Sequence, residues 1–127
     1  MSLKVDGTTI KIYQGDSGSI TFNGLEENMH IYMAIRDKEN QLVFPEMDNT
    51  VNNEGEITFS ITAEMSDMFD VDLSLPYTTY YYGIKQVDDV TVEENTIFLG
   101  EKPKFEDKYL VKVYPKKVEG LYDNGEG

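Results

Sequence analysis

Apolar and polar residues alternate along most of this chain, and a period of two is typical of β-strands with one buried face. The clearest case is the segment 29–37, in which every second residue is large and apolar: Ile31, Met33 and Ile35. The same alternation recurs in further segments: 9–14, 19–23, 41–44, 56–62, 77–87, 95–99 and 109–114. The pattern therefore predicts about eight short strands.

Short polar segments separate the strands and indicate how they are connected. Gly15-Asp16-Ser17-Gly18 predicts a hairpin or a sharp reversal between 9–14 and 19–23, with positive φ at both glycines. The polar residues 37–40 have the length of a hairpin loop, and Pro45 ends the next strand because it cannot donate to a ladder. One short connector helix is predicted at residues 62–70, where Thr62 can cap its start.

Many strands without alternating long helices favour an all-β fold. The predicted architecture is an antiparallel two-sheet β-sandwich of about eight strands, immunoglobulin-like (Ig-like) in arrangement but without the Cys and Trp that pin antibody domains. Residues 1–118 form the predicted single domain, and residues 119–127 form a flexible C-terminal tail. Inward residues of both sheets form the predicted core: Ile20, Phe22, Ile31, Met33, Ile35, Ile57, Phe59, Ile61, Tyr82 and Ile84.

The charge balance limits the classes of partner. The 127 residues include 11 Lys and Arg against 24 Asp and Glu, a formal net charge of −13. Because phosphate backbones and anionic lipids bind through Lys and Arg, neither nucleic acid nor membrane is predicted as a partner. The first residues lack the apolar run of a signal peptide, and no stretch has the roughly 20 apolar residues of a membrane-spanning helix.

Few residues are available for catalysis or metal binding. The chain has no cysteine, which excludes disulfides, thiolate zinc sites and thiol nucleophiles, and His30 is its one histidine. The carboxylates of Asp67, Asp70 and Asp72 could ligate a hard cation, but the sequence around them lacks the calcium-loop pattern. No catalytic residue, cofactor or metal site is predicted, and the chain is predicted not to be an enzyme.

The letters Gly-Asp-Ser-Gly at 15–18 also surround the nucleophile of chymotrypsin-like serine proteases. That fold is built from two barrels, and its histidine precedes the serine along the chain. Here His30 follows Ser17, so the serine has no base placed to activate it. The segment is interpreted as a turn.

Tyrosine is more abundant than a core of this size requires. Nine tyrosines are present, four of them within residues 77–82. Three are predicted to face outward as a candidate interface for a protein or sugar partner: Tyr32, Tyr77 and Tyr81. The alternative is cross-strand aromatic pairing that only strengthens a sheet.

Three segments together resemble a known family. They are residues 12–20 (Ile-Tyr-Gln-Gly-Asp-Ser-Gly-Ser-Ile), the strand 31–37, and residues 76–84 followed by Asn95-Thr96-Ile97-Phe98-Leu99-Gly100. Their order resembles small Ig-like β-sandwich proteins of tailed phages and prophages of Gram-positive bacteria, including the N-terminal domain of siphophage baseplate upper proteins. The resemblance spans residues 10 to 114 and carries over no catalytic residue.

The resemblance implies a non-catalytic structural module of a tail- or baseplate-type particle. Its expected partners are other phage structural proteins or a second copy of itself, and its expected location is the virion, assembled in the bacterial cytoplasm. A carbohydrate- or surface-binding sandwich that uses the exposed tyrosines is the alternative.

Overall fold

The computed structural model describes residues 3–88, 94–99 and 109–116. These residues form an all-β structure with one short helix. The elements in chain order are β1 (Leu3–Asp6), β2 (Thr9–Tyr13), β3 (Gly18–Phe22), β4 (His30–Arg36), β5 (Met47–Thr50), β6 (Ile57–Ile61), α1 (Ala63–Ser66), β7 (Thr78–Val87), β8 (Glu94–Leu99) and β9 (Leu110–Tyr114).

Seven strands form a large sheet in which β7 is the longest strand. Six of them follow the order β1-β2-β9-β7-β4-β5, and β8 pairs with β7 outside this path. One edge of β7 pairs with β4 over Tyr81–Val87. The other edge is divided, since β9 pairs with residues 78–81 and β8 with residues 83–87. β7 therefore pairs with three other strands, β4, β8 and β9.

The remaining strands, β3 and β6, form a two-stranded antiparallel sheet with Ile20 opposite Phe59. Gly18 lets β1 approach this sheet, since a Cβ at residue 18 would lie 2.3 Å from Leu3 Cβ. Side chains from both sheets belong to one hydrophobic core, whose members are Ile10, Ile12, Ile20, Ile31, Met33, Ile35, Phe44, Val51, Ile57, Phe59, Ile61, Phe69, Tyr80, Tyr82, Ile84, Val111 and Val113. Nine of the ten predicted core residues are in this list, and Phe22 packs against it partly buried.

The connection between β2 and β3 is not a hairpin. Instead β2 pairs with β1 and, in parallel, with β9, whereas β3 pairs with β6. The turn at 15–18 therefore leads the chain from one sheet to the other, with a φ of 87° at Gly15. Positive φ is confirmed for Gly15 but not for Gly18, where the missing side chain serves close approach. The predicted purely antiparallel pairing is also wrong for β2 and β9.

Three strand assignments and the length of the helix differ from the prediction. Residues 41–44 form only an isolated bridge, Leu42 with Arg36, and the strand that pairs with the edge of β4 opposite β7 is β5 at Met47–Thr50. Neither β5 nor β1 was predicted, and both are largely exposed edge strands. β5 has no apolar alternation, whereas the alternation in β1 is limited to Leu3 and Val5 over four residues. The helix has four residues rather than nine, although Thr62 does cap it by accepting from Met65 N–H at 3.1 Å.

The predicted tail at 119–127 lies outside the described residues. Within the described residues, no helix is long and apolar enough to cross a bilayer.

Tyr82 links the core to the β1–β2 turn and is expected to make stability fall at alkaline pH. Its hydroxyl donates to Thr8 C=O at 2.7 Å, and burial, with a smaller contribution from the charge of Tyr109, raises the pKa of Tyr82 to about 12. An unfolded chain loses this proton near pH 10, so the stabilisation is complete below pH 10 and is lost as the pH rises to 12, by about 2 kcal/mol. Urea unfolding measured across this range checks the slope.

Tyr82→Phe is the control for that titration. The variant loses the hydrogen bond to Thr8, about 1 kcal/mol at neutral pH, but cannot ionise. Its alkaline loss of stability should be shallower than that of the wild type. Equal slopes for the two proteins would show that Tyr82 does not carry the effect.

Candidate functional site

The three predicted interface tyrosines share the face of the large sheet that points away from the core. Tyr32 alternates with buried residues of β4, Tyr81 alternates with buried residues of β7, and Tyr77 directly precedes β7. The register places Tyr81 opposite Arg36 and Tyr32 opposite Lys85. Four strand positions, about 13 Å, therefore separate Tyr32 from Tyr81.

Tyr32 contacts His30 of the same strand, and His30 contacts the neighbouring strand β5. The two rings meet edge to face with their centroids 4.9 Å apart. His30 Nε2 lies 3.2 Å from an Asp48 carboxylate oxygen, and Nδ1 lies 3.4 Å from Thr50 Oγ1. Tyr32 therefore lies in a different cluster from Tyr77 and Tyr81, and its ring contact is within one strand and not the cross-strand pairing of the alternative.

A row of three tyrosines crosses the large sheet at the start of β7. The ring of Tyr114 lies between those of Tyr13, 5.4 Å away, and Tyr77, 5.6 Å away, measured between centroids. The Lys112 ammonium lies 4.7 Å from the centroid of the Tyr77 ring, within cation–π distance. The parallel β2–β9 register brings Tyr13 and Tyr114 together. Sequence alternation alone does not reveal that register.

A cleft of about 750 Å³ opens beside this row. Such a volume lies within the usual range of binding sites. Three segments line the cleft: the turn 37–39 after β4, the loop 70–76, and residues 77–81 at the start of β7. Two of the predicted residues, Tyr77 and Tyr81, are therefore brought together here, whereas Tyr32 does not line the cleft.

Hydrogen bonds fix the two flanking turns. Asp37 Oδ1 accepts from the backbone N–H groups of Glu39 and Gln41, both at 2.9 Å. Asp72 Oδ1 accepts from the N–H of Ser74 at 2.9 Å and from its hydroxyl at 2.6 Å. These bonds, helped by Lys38, hold the pKa of Asp72 below its ordinary value, so this carboxylate stays ionised at neutral pH.

Hydrogen bonds with side chains of β7 hold the loop 70–76 in place. The hydroxyl of Tyr80 accepts from Asp70 N–H at 2.8 Å and donates to Asp70 C=O, and burial raises the pKa of Tyr80. Asp72 N–H donates to Thr78 Oγ1 at 2.9 Å. Both contacts come from the inward side of β7, so the outward side, with Tyr77 and Tyr81, stays accessible from the cleft.

The cleft is negatively charged. Four carboxylates line it, against the single cation of Lys38: Asp37, Glu39, Asp70 and Asp72. Among the residues that the structure describes, no three His, Asp or Glu side chains are arranged to hold a metal ion together. His30 lies six strand positions from Arg36, about 20 Å along β4, and is remote from these carboxylates.

Sequence reasoning missed the carboxylates of this site as a group. Asp70 and Asp72 were considered with Asp67, but Asp67 instead pairs with Lys116 at 2.9 Å. Asp37 and Glu39 come from a different turn, and only the fold places the two turns on the same cleft. The signal in the sequence was the pair of tyrosines.

No protein-family model matches this chain, and no curated protein is similar enough to it to count as a relative.

Proposed function

We propose that this chain is a non-catalytic Ig-like β-sandwich module that assembles into a phage or prophage particle of tail or baseplate type through protein–protein contacts. The observation that carries the proposal is the outward tyrosine surface, Tyr13, Tyr77, Tyr81 and Tyr114, beside the cleft. A core shared by the two sheets supports the sandwich arrangement. The resemblance in sequence supplies the phage context.

Tyrosine suits such a contact for physical reasons. Its ring contributes apolar area while its hydroxyl forms hydrogen bonds at the rim, and few torsions are frozen on binding. In the row across the sheet, Tyr13, Tyr114 and Tyr77 already restrain one another through ring contacts. Part of the side-chain conformational entropy that association would remove is therefore already lost on folding.

Particles purified from the encoding bacterium after prophage induction test the proposal directly. Mass spectrometry is expected to find the chain in repeated copies, and its gene is expected to lie among phage structural genes. Tyr77→Ala should reduce incorporation, whereas Thr58→Ala, an exposed change on the small sheet, should not. A chain absent from the particles and encoded among metabolic genes would contradict the proposal.

Carbohydrate binding is the second candidate, because tyrosine rings next to carboxylates could also hold a sugar. Tyr77 and Tyr81 could stack on the sugar ring, and Asp70 and Asp72 could accept its hydroxyl groups. A glycan array should then give a signal that Tyr81→Ala removes. A signal unchanged by that substitution rejects the role of Tyr81.

A further inference from the structure

We infer that the start of β7 is a docking edge for an extended, basic polypeptide segment, which would add as a strand beside Thr79. The inference rests on the proposed protein–protein function and specifies the chemistry of the partner.

The ladder between β4 and β7 ends before β7 does. Pairing with β4 begins at Tyr81, opposite Arg36, so residues 78–80 of β7 continue past the end of β4. At Asp37 the chain turns away: Asp37 N–H donates to Gln41 C=O at 2.9 Å, and the chain returns along the opposite edge of β4. Among the described strands, β9 is the only one paired with residues 78–80.

The direction of the backbone groups follows from one hydrogen bond. Tyr82 N–H donates to Tyr109 C=O, next to β9, at 3.0 Å. Backbone groups of successive strand residues point to opposite edges, so those of Thr78 and Tyr80 also point towards β9. The N–H and C=O of Thr79 therefore point into the cleft, where β4 would have continued. An incoming strand meets a donor and an acceptor already held at ladder spacing.

The negative charge of the cleft favours an incoming segment that is positively charged. Asp37 and Glu39 line the cleft from the turn after β4, and Asp70 and Asp72 line it from the loop before β7, with only Lys38 opposing them. Side chains of an added strand alternate between the two faces of the sheet, so cationic side chains on one face could reach the carboxylates of the loop 70–76 and those on the other face would lie beside Tyr77 and Tyr81. Their aliphatic stems could cover the rings of Tyr77 and Tyr81. Tyr77 already has one cation next to its ring, since the Lys112 ammonium lies 4.7 Å from the ring centroid.

A short blocked peptide of alternating Lys and Thr is the probe, titrated into ¹⁵N-labelled full-length protein at low salt. We expect saturable shifts centred on the Thr79 amide and slower exchange of its proton with solvent. A matched peptide of alternating Glu and Thr should not bind, and added salt should weaken the Lys-Thr complex. Equal binding of the two peptides would overturn the charge assignment.

Two substitutions at one position separate the backbone from the side chain. Thr79→Pro removes the N–H that points into the cleft without touching a bond to β9, a position where an edge strand tolerates proline, and should weaken binding about tenfold. Thr79→Ala keeps the N–H and should bind as the wild type does. Unchanged binding by a folded Thr79→Pro protein would refute strand addition.

A chemically modified probe covers the case in which Thr79→Pro fails to fold. The Lys-Thr peptide methylated on its backbone nitrogens cannot donate to Thr79 C=O, so it should lose binding to the unmodified protein. If the methylated peptide binds equally, or if an oligosaccharide shifts the Thr79 amide while the Lys-Thr peptide does not, the inferred occupant is wrong.

The two proposals can fail separately. Incorporation into particles without peptide binding would leave the assembly role standing and remove the docking edge. Peptide binding by a chain absent from particles would do the reverse.

Discussion

Replacing Phe69 by alanine is expected to lower the free energy of unfolding by about 3–5 kcal/mol, the usual range for a buried phenylalanine. Phe69 is 1% exposed, and its ring contacts Phe44 and Tyr80 with centroids 5.7 and 4.8 Å away. Its C=O also accepts from Gln14 Nε2 at 2.8 Å. The substitution opens a cavity directly behind the loop that lines the cleft. Urea denaturation followed by circular dichroism measures the loss.

Met68→Ala is the matched control, one residue away. Met68 is 55% exposed, so its truncation should change stability by no more than about 0.5 kcal/mol. A Phe69→Ala protein as stable as Met68→Ala would mean that the segment after α1 does not belong to the core.

Replacing Phe59 by alanine should cost a similar amount, about 3–5 kcal/mol, although Phe59 lies in the two-stranded sheet. Phe59 is 3% exposed, contacts Phe22 edge to face, and belongs to the same core as Ile31 of the large sheet. If the two sheets unfold as one unit, the substitution also lowers the protection of the β4 amides against hydrogen exchange. Denaturant unfolding and native-state exchange together measure the effect.

Thr58→Ala provides the comparison for that experiment, since the Thr58 side chain points outward from the same strand and its hydroxyl lies 2.9 Å from that of Thr21. Its cost should stay below about 1 kcal/mol. Should Phe59→Ala destabilise β3 and β6 while β4 keeps full protection, the small sheet would be a separate folding unit.

Alternation predicted the strands that bury one face and failed for those that do not. In β4 and β6 each buried residue is followed by a more exposed one, so the pattern in the sequence is the pattern of burial. β5, with Asp48, Asn49 and Thr50, exposes three of its four residues. Its place is set by backbone pairing with β4, which no side-chain pattern records.

The site was predictable only as far as its aromatic residues. Tyr77 and Tyr81 stood out because so many tyrosines cannot all fit in a core of this size, and both line the cleft. Asp37 and Asp72 are 35 positions apart, and their meeting depends on the turn that ends β4. The role assigned to Thr79 depends on the offset between two strand ends, which is a property of the register and not of the residue.

Because β9 lies between β2 and β7, the large sheet can be completed only after β9 has been synthesised. Contacts such as Tyr109 N–H to Thr8 Oγ1 join residues 101 positions apart. During synthesis, β2 is made before most of the other described strands, yet β9, its neighbour in the sheet, is made after all of them. Until then one edge of β2 and residues 78–81 of β7 lack their β9 partner, and such long-range pairing is slow. The newly made chain therefore passes through a stage in which chaperones, or another copy of the chain, have access to both edges.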